Sequence, residues 1–156
     1  MSRPTEVASD LAVFVHRRRI SWGETDAARI AYTARFLDFA MEAIEAWFYD
    51  RLGQSFYEFN VDEGIGTPFV RVELDFRSPL TPRDVLETEV LLHRLGRSSL
   101  HIGVAGRVGK RLAYEGRLVC AFVDVGSGRM RPIPVPEKYL SALQREAALA
   151  AARSAG

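Results

Sequence analysis

The residue best suited to chemistry is Asp26, which lies in a short polar segment between a strand-like stretch and a long amphipathic helix. A carboxylate can attack an activated carbonyl carbon, or it can take a proton from a water molecule. The free N–H groups at the start of the following helix can bind negative charge that develops during a reaction. Aspartate is also common as a turn or capping residue before helices, so the pattern by itself leaves both roles open.

The helix after Asp26 is predicted over residues 36–52, where apolar side chains recur every three or four positions. Glycine is the usual residue just beyond a helix C-terminus, so Gly53 is expected to end this helix. The apolar positions form one stripe, and it consists of Phe36, Phe39, Ala40, Ala43, Ile44, Trp47 and Phe48.

Most of the remaining chain alternates apolar and polar residues with a period of two, which is typical of strands. Strands are predicted over residues 13–21, 65–77, 85–95, 99–108 and 112–125. Residues 131–136 contain alternating prolines and are predicted to be extended, whereas residues 137–153 are predicted to be helical. This order predicts an α+β fold, in which a five-stranded antiparallel sheet wraps around one long central helix.

Composition favours a single globular domain. The chain has 156 residues, of which 47% are hydrophobic and 26% are charged, and its net charge of +1 creates no field that would attract nucleic acid or a membrane. No apolar run approaches the ~18 residues that a membrane-spanning helix needs. The first ten residues lack the apolar core of a secretory signal, so a cytoplasmic location is expected.

Other reactive residue types show no pattern of a known site. Cys120 lies in an apolar, strand-like run and is expected to be a buried, inert thiol. The three histidines have no metal-ligand spacing, so no metal site is expected. The chain has no G-x-S-x-G motif of a serine hydrolase. Arg17, Arg18 and Arg19 alternate between the two faces of a strand without an aromatic platform, which argues against nucleic-acid binding.

Three segments resemble the hotdog-fold acyl-CoA thioesterases, and among them the 4-hydroxybenzoyl-CoA thioesterase family. They are residues 20–28 (Ile-Ser-Trp-Gly-Glu-Thr-Asp-Ala-Ala), 63–68 (Glu-Gly-Ile-Gly-Thr-Pro) and 131–139 (Arg-Pro-Ile-Pro-Val-Pro-Glu-Lys-Tyr). The resemblance covers residues 13–140 and implies hydrolysis of an acyl-CoA thioester to a carboxylate and free coenzyme A. It implies no cofactor, since coenzyme A is part of the substrate.

The resemblance also implies roles for individual residues. Asp26 would be the nucleophile or general base, and backbone N–H groups near Thr33 would polarise the thioester carbonyl. Thr67 would line the acyl pocket, and Glu42 is a candidate for contact with the acyl group. The phosphates of coenzyme A would be held by residues at one strand end and turn, namely Arg94, Arg97 and Ser98, because arginine binds phosphate in bidentate geometry. Arg129 and Arg131 are weaker candidates for the same task.

The chain departs from the family pattern at three positions. Arg29 stands where the family has the glycine of its Asp-x-x-Gly motif, and Thr33 lies in a stretch that many relatives fill with His or Tyr-Pro-Asn-Tyr. Met41 stands where the 4-hydroxybenzoyl branch has the helix carboxylate that holds the phenol. The acyl group is therefore expected to be aromatic but not securely 4-hydroxylated. The alternatives are a thioesterase for short or branched aliphatic acyl-CoA, and a non-catalytic module that binds acyl-CoA or acyl-carrier protein.

The sequence predicts three segments and an oligomeric protein. Residues 1–12 would be a flexible N-terminal segment, residues 13–140 the thioesterase domain, and residues 141–156 a C-terminal helical tail. A hotdog monomer leaves a sheet edge unpaired, so a homodimer or homotetramer is expected. Apart from its own copies, the expected partner is an acyl-CoA substrate, with no nucleic acid and no membrane.

Overall fold

A long helix lies against the concave face of a five-stranded antiparallel sheet. The computed structural model describes residues 12–156, so the predicted N-terminal segment lies outside the described residues except for Ala12. The strands are β1 (Phe14–Arg19), β2 (Ile65–Gly66), β3 (Phe69–Phe76), β4 (Val85–Leu95), β5 (Ser99–Val108), β6 (Arg111–Ala121), β7 (Val123–Asp124) and β8 (Arg131–Pro132). The helices are α1 (Arg35–Leu52), α2 (Phe56–Glu63) and α3 (Glu137–Ala155), and a single 3-10 turn covers Trp22–Glu24.

The main sheet has the strand order β1-β4-β5-β6-β3, and every neighbouring pair is antiparallel. This arrangement confirms the predicted hotdog fold, a five-stranded sheet around one long helix. Two of the predicted strands are interrupted. Residues 65–77 form the short β2 and then β3, because Pro68 cannot donate to a ladder, and residues 112–125 divide into β6 and β7. The strands β2, β7 and β8 form a small second sheet.

Helix α1 supplies the centre of the core. All seven residues of its predicted apolar stripe are buried, and they pack with the inward-facing side chains of β4, β5 and β6. Gly53 ends the helix with a φ of 80°, and its N–H donates to the Tyr49 carbonyl at 2.9 Å. This is the left-handed conformation that glycine adopts without strain, as the sequence predicted.

Helix α2 was not predicted from the sequence. It begins after Ser55, whose hydroxyl accepts the Glu58 N–H at 3.3 Å, and it ends at Gly64 with a φ of 64°. Its eight residues include only one fully buried side chain, Phe59, so it lacks the apolar periodicity that reveals longer helices.

Helix α3 packs against β4 and α1, and the boundary predicted between residues 140 and 141 falls inside it. The buried Glu146 joins α3 to α1, because its carboxylate pairs with the Arg51 guanidinium and accepts the Trp47 indole N–H at 3.4 Å. No helix within residues 12–156 is long and apolar enough to cross a membrane.

Candidate active site

Asp26 lies in a tight hairpin between β1 and α1. An isolated antiparallel bridge between Thr25 and Ala31 closes the hairpin, and the Asp26 N–H donates to the Ile30 carbonyl at 3.1 Å. The Asp26 Oδ1 atom accepts the Ala28 N–H at 2.8 Å. Its other oxygen, Oδ2, accepts no hydrogen bond from residues 12–156, and the side chain is exposed. One carboxylate oxygen is thus oriented by the loop while the other is available for chemistry.

Arg29, which stands at the glycine position of the Asp-x-x-Gly motif, has a backbone conformation that glycine favours. Arg29 has a φ of 67°, and it is the only non-glycine residue in the described part of the chain with a positive φ. Its N–H donates to the Asp26 carbonyl at 2.9 Å, which completes the turn. The backbone at Arg29 is therefore strained, since a side chain in this left-handed conformation costs about 1–2 kcal/mol.

The hairpin leads directly to the N-terminus of α1. The Arg35 and Phe36 N–H groups are used locally, donating to the Tyr32 and Thr33 carbonyls at 2.8 and 3.2 Å. The N–H groups of Thr33 and of Ala34, the capping residue, find no acceptor within residues 12–156. The Thr33 N–H, which the sequence analysis predicted as an oxyanion donor, is thus unpaired within the described residues, seven positions after Asp26.

A cavity of about 430 Å³ extends along the exposed face of α1. Met41, Glu42 and Phe56 are among its lining residues, and so is Glu24 of the 3-10 turn, two residues before Asp26. The Glu42 carboxylate is half exposed and lies 3.4 Å from the Arg18 guanidinium. Met41 and Phe56 are the apolar lining residues, and the rest of the lining is charged: Glu24, Arg35, Asp38, Glu42 and Glu45.

The predicted coenzyme A residues lie at the opposite end of the sheet. Arg94 and Arg97 are exposed at the turn between β4 and β5, and the Arg97 and Ser98 carbonyls accept the N–H groups of Val135 and Phe122. Thr67 lies at the same end, because β3 begins two residues later and Phe69 is level with Cys120 and Leu100.

Within one protomer the predicted site residues form two separate groups. Arg19, at the Asp26 end, pairs with Val85 at the start of β4, while Leu95, at the Arg97 end, is the last residue of β4. Ten strand steps of about 3.3 Å separate these ends by on the order of 30 Å. Asp26, Thr33 and Glu42 are thus brought together on one side, and Thr67, Arg94, Arg97 and Ser98 on the other.

The structure brings one further pair to the site that the sequence analysis did not single out. Arg18 on the inner face of β1 binds the Glu24 carboxylate, two residues before Asp26. The available signal was the alternation in β1, where Arg18 is half-buried between the exposed Arg17 and Arg19. It was interpreted only as an argument against nucleic-acid binding.

The one cysteine of the chain, Cys120, is buried as the sequence predicted. Cys120 is fully buried, and burial raises the pKa of its thiol to about 12, so it stays protonated and is a poor nucleophile. Within residues 12–156, no three His, Cys, Asp or Glu side chains form a cluster that could hold a metal ion.

Comparison with known proteins agrees with this geometry. The sequence profile of the thioesterase-like superfamily matches residues 20–143. A protein of Synechococcus elongatus named 1,4-dihydroxy-2-naphthoyl-CoA hydrolase is 31% identical over 139 residues, which cover 86% of this chain and 97% of the relative. The solved structure of a thioesterase-superfamily protein from Jannaschia sp. CCS1 has a TM-score of 0.80 at 33% identity, covering 94% of this chain and 96% of that one.

A solved 4-hydroxybenzoyl-CoA thioesterase has the same fold, with a TM-score of 0.74 at 22% identity, and the match covers 83% of this chain and 96% of that one. The family match spans most of the chain: it begins just after β1 and includes the Asp26 hairpin, α1 and the other four strands of the main sheet. The protein therefore belongs to the thioesterase-like superfamily.

Proposed function

We propose that this protein hydrolyses aroyl-CoA thioesters to the aromatic carboxylate and free coenzyme A, with Asp26 as the reacting carboxylate. The observation that carries the proposal is the hairpin itself. It presents an exposed carboxylate with a free oxygen, and it ends at the unbonded N–H groups of Thr33 and Ala34. Acyl transfer requires this combination of a nucleophile or base with donors for the oxyanion.

Two chemical courses are open to Asp26. Its carboxylate can attack the thioester carbon, which expels the coenzyme A thiolate and leaves an anhydride that water then hydrolyses. Alternatively, it can take a proton from a water molecule as that water attacks the carbon. In both courses negative charge develops on the carbonyl oxygen, and the Thr33 and Ala34 N–H groups would stabilise it.

A second subunit would complete the site. The strand β3 is an edge of the sheet, and two apolar side chains on its concave face lack full cover, because Val72 is 42% and Phe76 is 51% exposed. An edge of this kind favours pairing with another copy. A two-fold axis that pairs two β3 strands antiparallel would place Thr67 of the partner subunit beside Phe76. The Phe76 ring packs on Phe36 in the first turn of α1, with 5.1 Å between the ring centroids.

The same dimer would bring the coenzyme A residues to the reacting carboxylate. Because the two-fold axis reverses the strand direction, the Arg97 end of one subunit meets the Asp26 end of the other. Arg94 and Arg97 of the partner subunit would then bind the phosphates of a substrate whose thioester lies at Asp26. The separation of the two groups within a protomer supports this shared arrangement.

The aromatic character of the acyl group is supported by the two apolar side chains, Met41 and Phe56, in the otherwise charged cavity along α1. A flat ring would bury its faces against Met41 and Phe56, and Glu42 would accept a hydrogen bond from a ring hydroxyl. The Synechococcus relative, named for a dihydroxynaphthoyl-CoA substrate, supports the same class.

A panel of acyl-CoA thioesters, assayed with a thiol-detecting reagent, tests the proposal. Benzoyl-, hydroxybenzoyl- and dihydroxynaphthoyl-CoA should have a higher kcat/KM than acetyl-, isobutyryl- and octanoyl-CoA. Faster turnover of the aliphatic thioesters would assign the enzyme to aliphatic substrates. Binding of acyl-CoA without release of thiol would show a module that binds its ligand without turnover.

A further inference from the structure

The side chain of Arg18 is enclosed between β1 and α1. The side chains of Arg18 and Glu24 are each only 16% exposed, and the Arg18 Nη2 atom lies 2.7 Å from both oxygens of the Glu24 carboxylate. The guanidinium also lies 4.6 Å from the centroid of the Phe39 ring. Its other terminal nitrogen, Nη1, lies 3.4 Å from a Glu42 oxygen, within ion-pair distance although it makes no hydrogen bond. Arg18 thus contacts the loop and the helix at the same time.

Glu24 forms hydrogen bonds with both sides of the Asp26 hairpin. Its carboxylate accepts the Ser21 N–H at 2.7 Å, which fixes the 3-10 turn that enters the hairpin. Its backbone carbonyl accepts the Tyr32 N–H at 2.9 Å on the opposite side, where the chain leaves for α1. The residue that follows Tyr32 is Thr33, so one residue fixes the position of both the carboxylate and the oxyanion donor.

We propose that Arg18 is a positioning residue for thioester hydrolysis, and that it acts through Glu24 to hold Asp26 and the Thr33 N–H at a fixed separation. The inference rests on the proposed function of Asp26. Asp26 is exposed, and its own hydrogen bonds are all local to the hairpin. The pair formed by Arg18 and Glu24 is a charged side-chain link from that hairpin to the sheet and to α1. The hairpin is also held by the buried Ala31, whose N–H donates to the Leu80 carbonyl at 2.8 Å. A displacement of about 1 Å in a reacting group can lower the rate about 10²-fold, so loss of this anchor should reduce turnover.

The substitution Arg18→Met tests the role, because methionine keeps much of the side-chain length and removes the charge and the hydrogen bonds. With benzoyl-CoA, whose ring has no hydroxyl for Glu42 to bind, we expect kcat to fall about 10–100-fold while KM changes less than about threefold, since Arg18 does not contact the nucleotide or the ring. Arg18→Lys should recover part of kcat, because lysine keeps the charge and loses the bidentate geometry.

The chain offers a matched control in Arg51. Its side chain is also 16% exposed, pairs with the buried Glu146 and lies 5.7 Å from the Phe14 ring, but it joins α1 to α3 near the opposite end of the helix. Arg51→Met should therefore destabilise the fold by a comparable mechanism and leave kcat near the wild-type value at temperatures well below its Tm.

Hydrogen exchange provides a readout that does not depend on activity. Arg18→Met should accelerate exchange of the Tyr32 amide, which donates to Glu24, and of the amides of the 3-10 turn. Arg51→Met should leave these amides at the wild-type rate. If the wild-type enzyme hydrolyses no thioester, the proposed function fails, whereas the exchange experiment still tests the anchor.

The outcomes separate the possibilities as follows. Wild-type kcat in Arg18→Met, or unchanged exchange of the Tyr32 amide, would refute the positioning role. An equal loss of kcat in Arg51→Met would show that activity only follows global stability. This result would also refute the positioning role. Should Arg18→Met fail to fold, Arg18→Lys and Glu24→Gln take its place, and both must lower kcat with unchanged KM for the inference to stand.

Discussion

A shared active site can be tested by combining two defective subunits. One subunit carries Asp26→Asn, which removes the reacting carboxylate, and the other carries Arg97→Ala, which removes a proposed phosphate contact. In one protomer these residues lie on the order of 30 Å apart along β4, far beyond the reach of either side chain. If Asp26 of one subunit works with Arg97 of the partner subunit, the heterodimer contains one site with both defects and one intact site.

The expected activities differ by about an order of magnitude. Asp26→Asn should lower kcat by about 10²–10⁴, and loss of a charged hydrogen bond of about 1.5–3 kcal/mol should lower kcat/KM by about 10-fold or more. At low substrate concentration, a shared site gives the heterodimer about half of the wild-type activity, since one of two sites is intact. A site confined to one protomer gives the heterodimer about one twentieth of the wild-type activity. This is half of the activity of the Arg97→Ala enzyme, because only the subunit with Arg97→Ala keeps its reacting carboxylate.

Co-expression with two different affinity tags and tandem purification isolates the heterodimer for a thiol-release assay. The mirror arrangement serves as the control, with both substitutions in one subunit and a wild-type partner. Here the expectations reverse, because a shared site leaves no intact site and a confined site leaves half of the wild-type activity. Low activity in the first heterodimer together with half activity in its mirror would refute the shared site.

The remaining predictions concern single substitutions. Asp26→Asn in the homodimer should lower kcat by about 10²–10⁴ while far-ultraviolet circular dichroism stays unchanged, and near-wild-type turnover would exclude Asp26 as the reacting group. Arg29→Gly should raise the free energy of unfolding by about 0.5–1 kcal/mol through relief of the positive φ, offset in part by the more flexible unfolded chain; Arg29→Ala keeps the strain and should give no gain in denaturant titrations. Glu146→Ala should lower the free energy of unfolding by about 3 kcal/mol, because it leaves the partly buried Arg51 guanidinium without its main partner; a change below about 1 kcal/mol would show that solvent or Asp50 replaces that partner. Burial, with a smaller contribution from Arg117, lowers the pKa of His93 from 6.5. The unfolded chain therefore binds the proton more readily, and the free energy of unfolding should decline as the pH falls below 6.5. His93→Gln should make the accompanying decline of Tm with pH shallower.

The parts of the fold that depend on local patterns could be predicted from the sequence. The bounds of β4 and β5 agree with the prediction to the residue, and α1 begins one residue earlier than predicted. These elements have a clear period of two or of 3.6 and a turn glycine at or near one end. Helix α2 was missed because its packing on Tyr139, Phe48 and Phe122 involves residues distant in the chain, and its own pattern is short.

In the candidate site, too, some features depend on local sequence and others on contacts between distant segments. Asp26 and Thr33 are only seven residues apart, so their location in the short segment between β1 and α1 could be predicted from the sequence. The contact between Arg18 and Glu24 depends on which face of β1 turns toward α1, and that is decided by packing of the whole sheet. The positions of Thr67 and Arg97 at the end opposite Asp26 follow from the order and direction of five strands. Strand order depends on contacts between segments far apart in the chain, and local periodicity is the same for every order, so only the tertiary structure decided it.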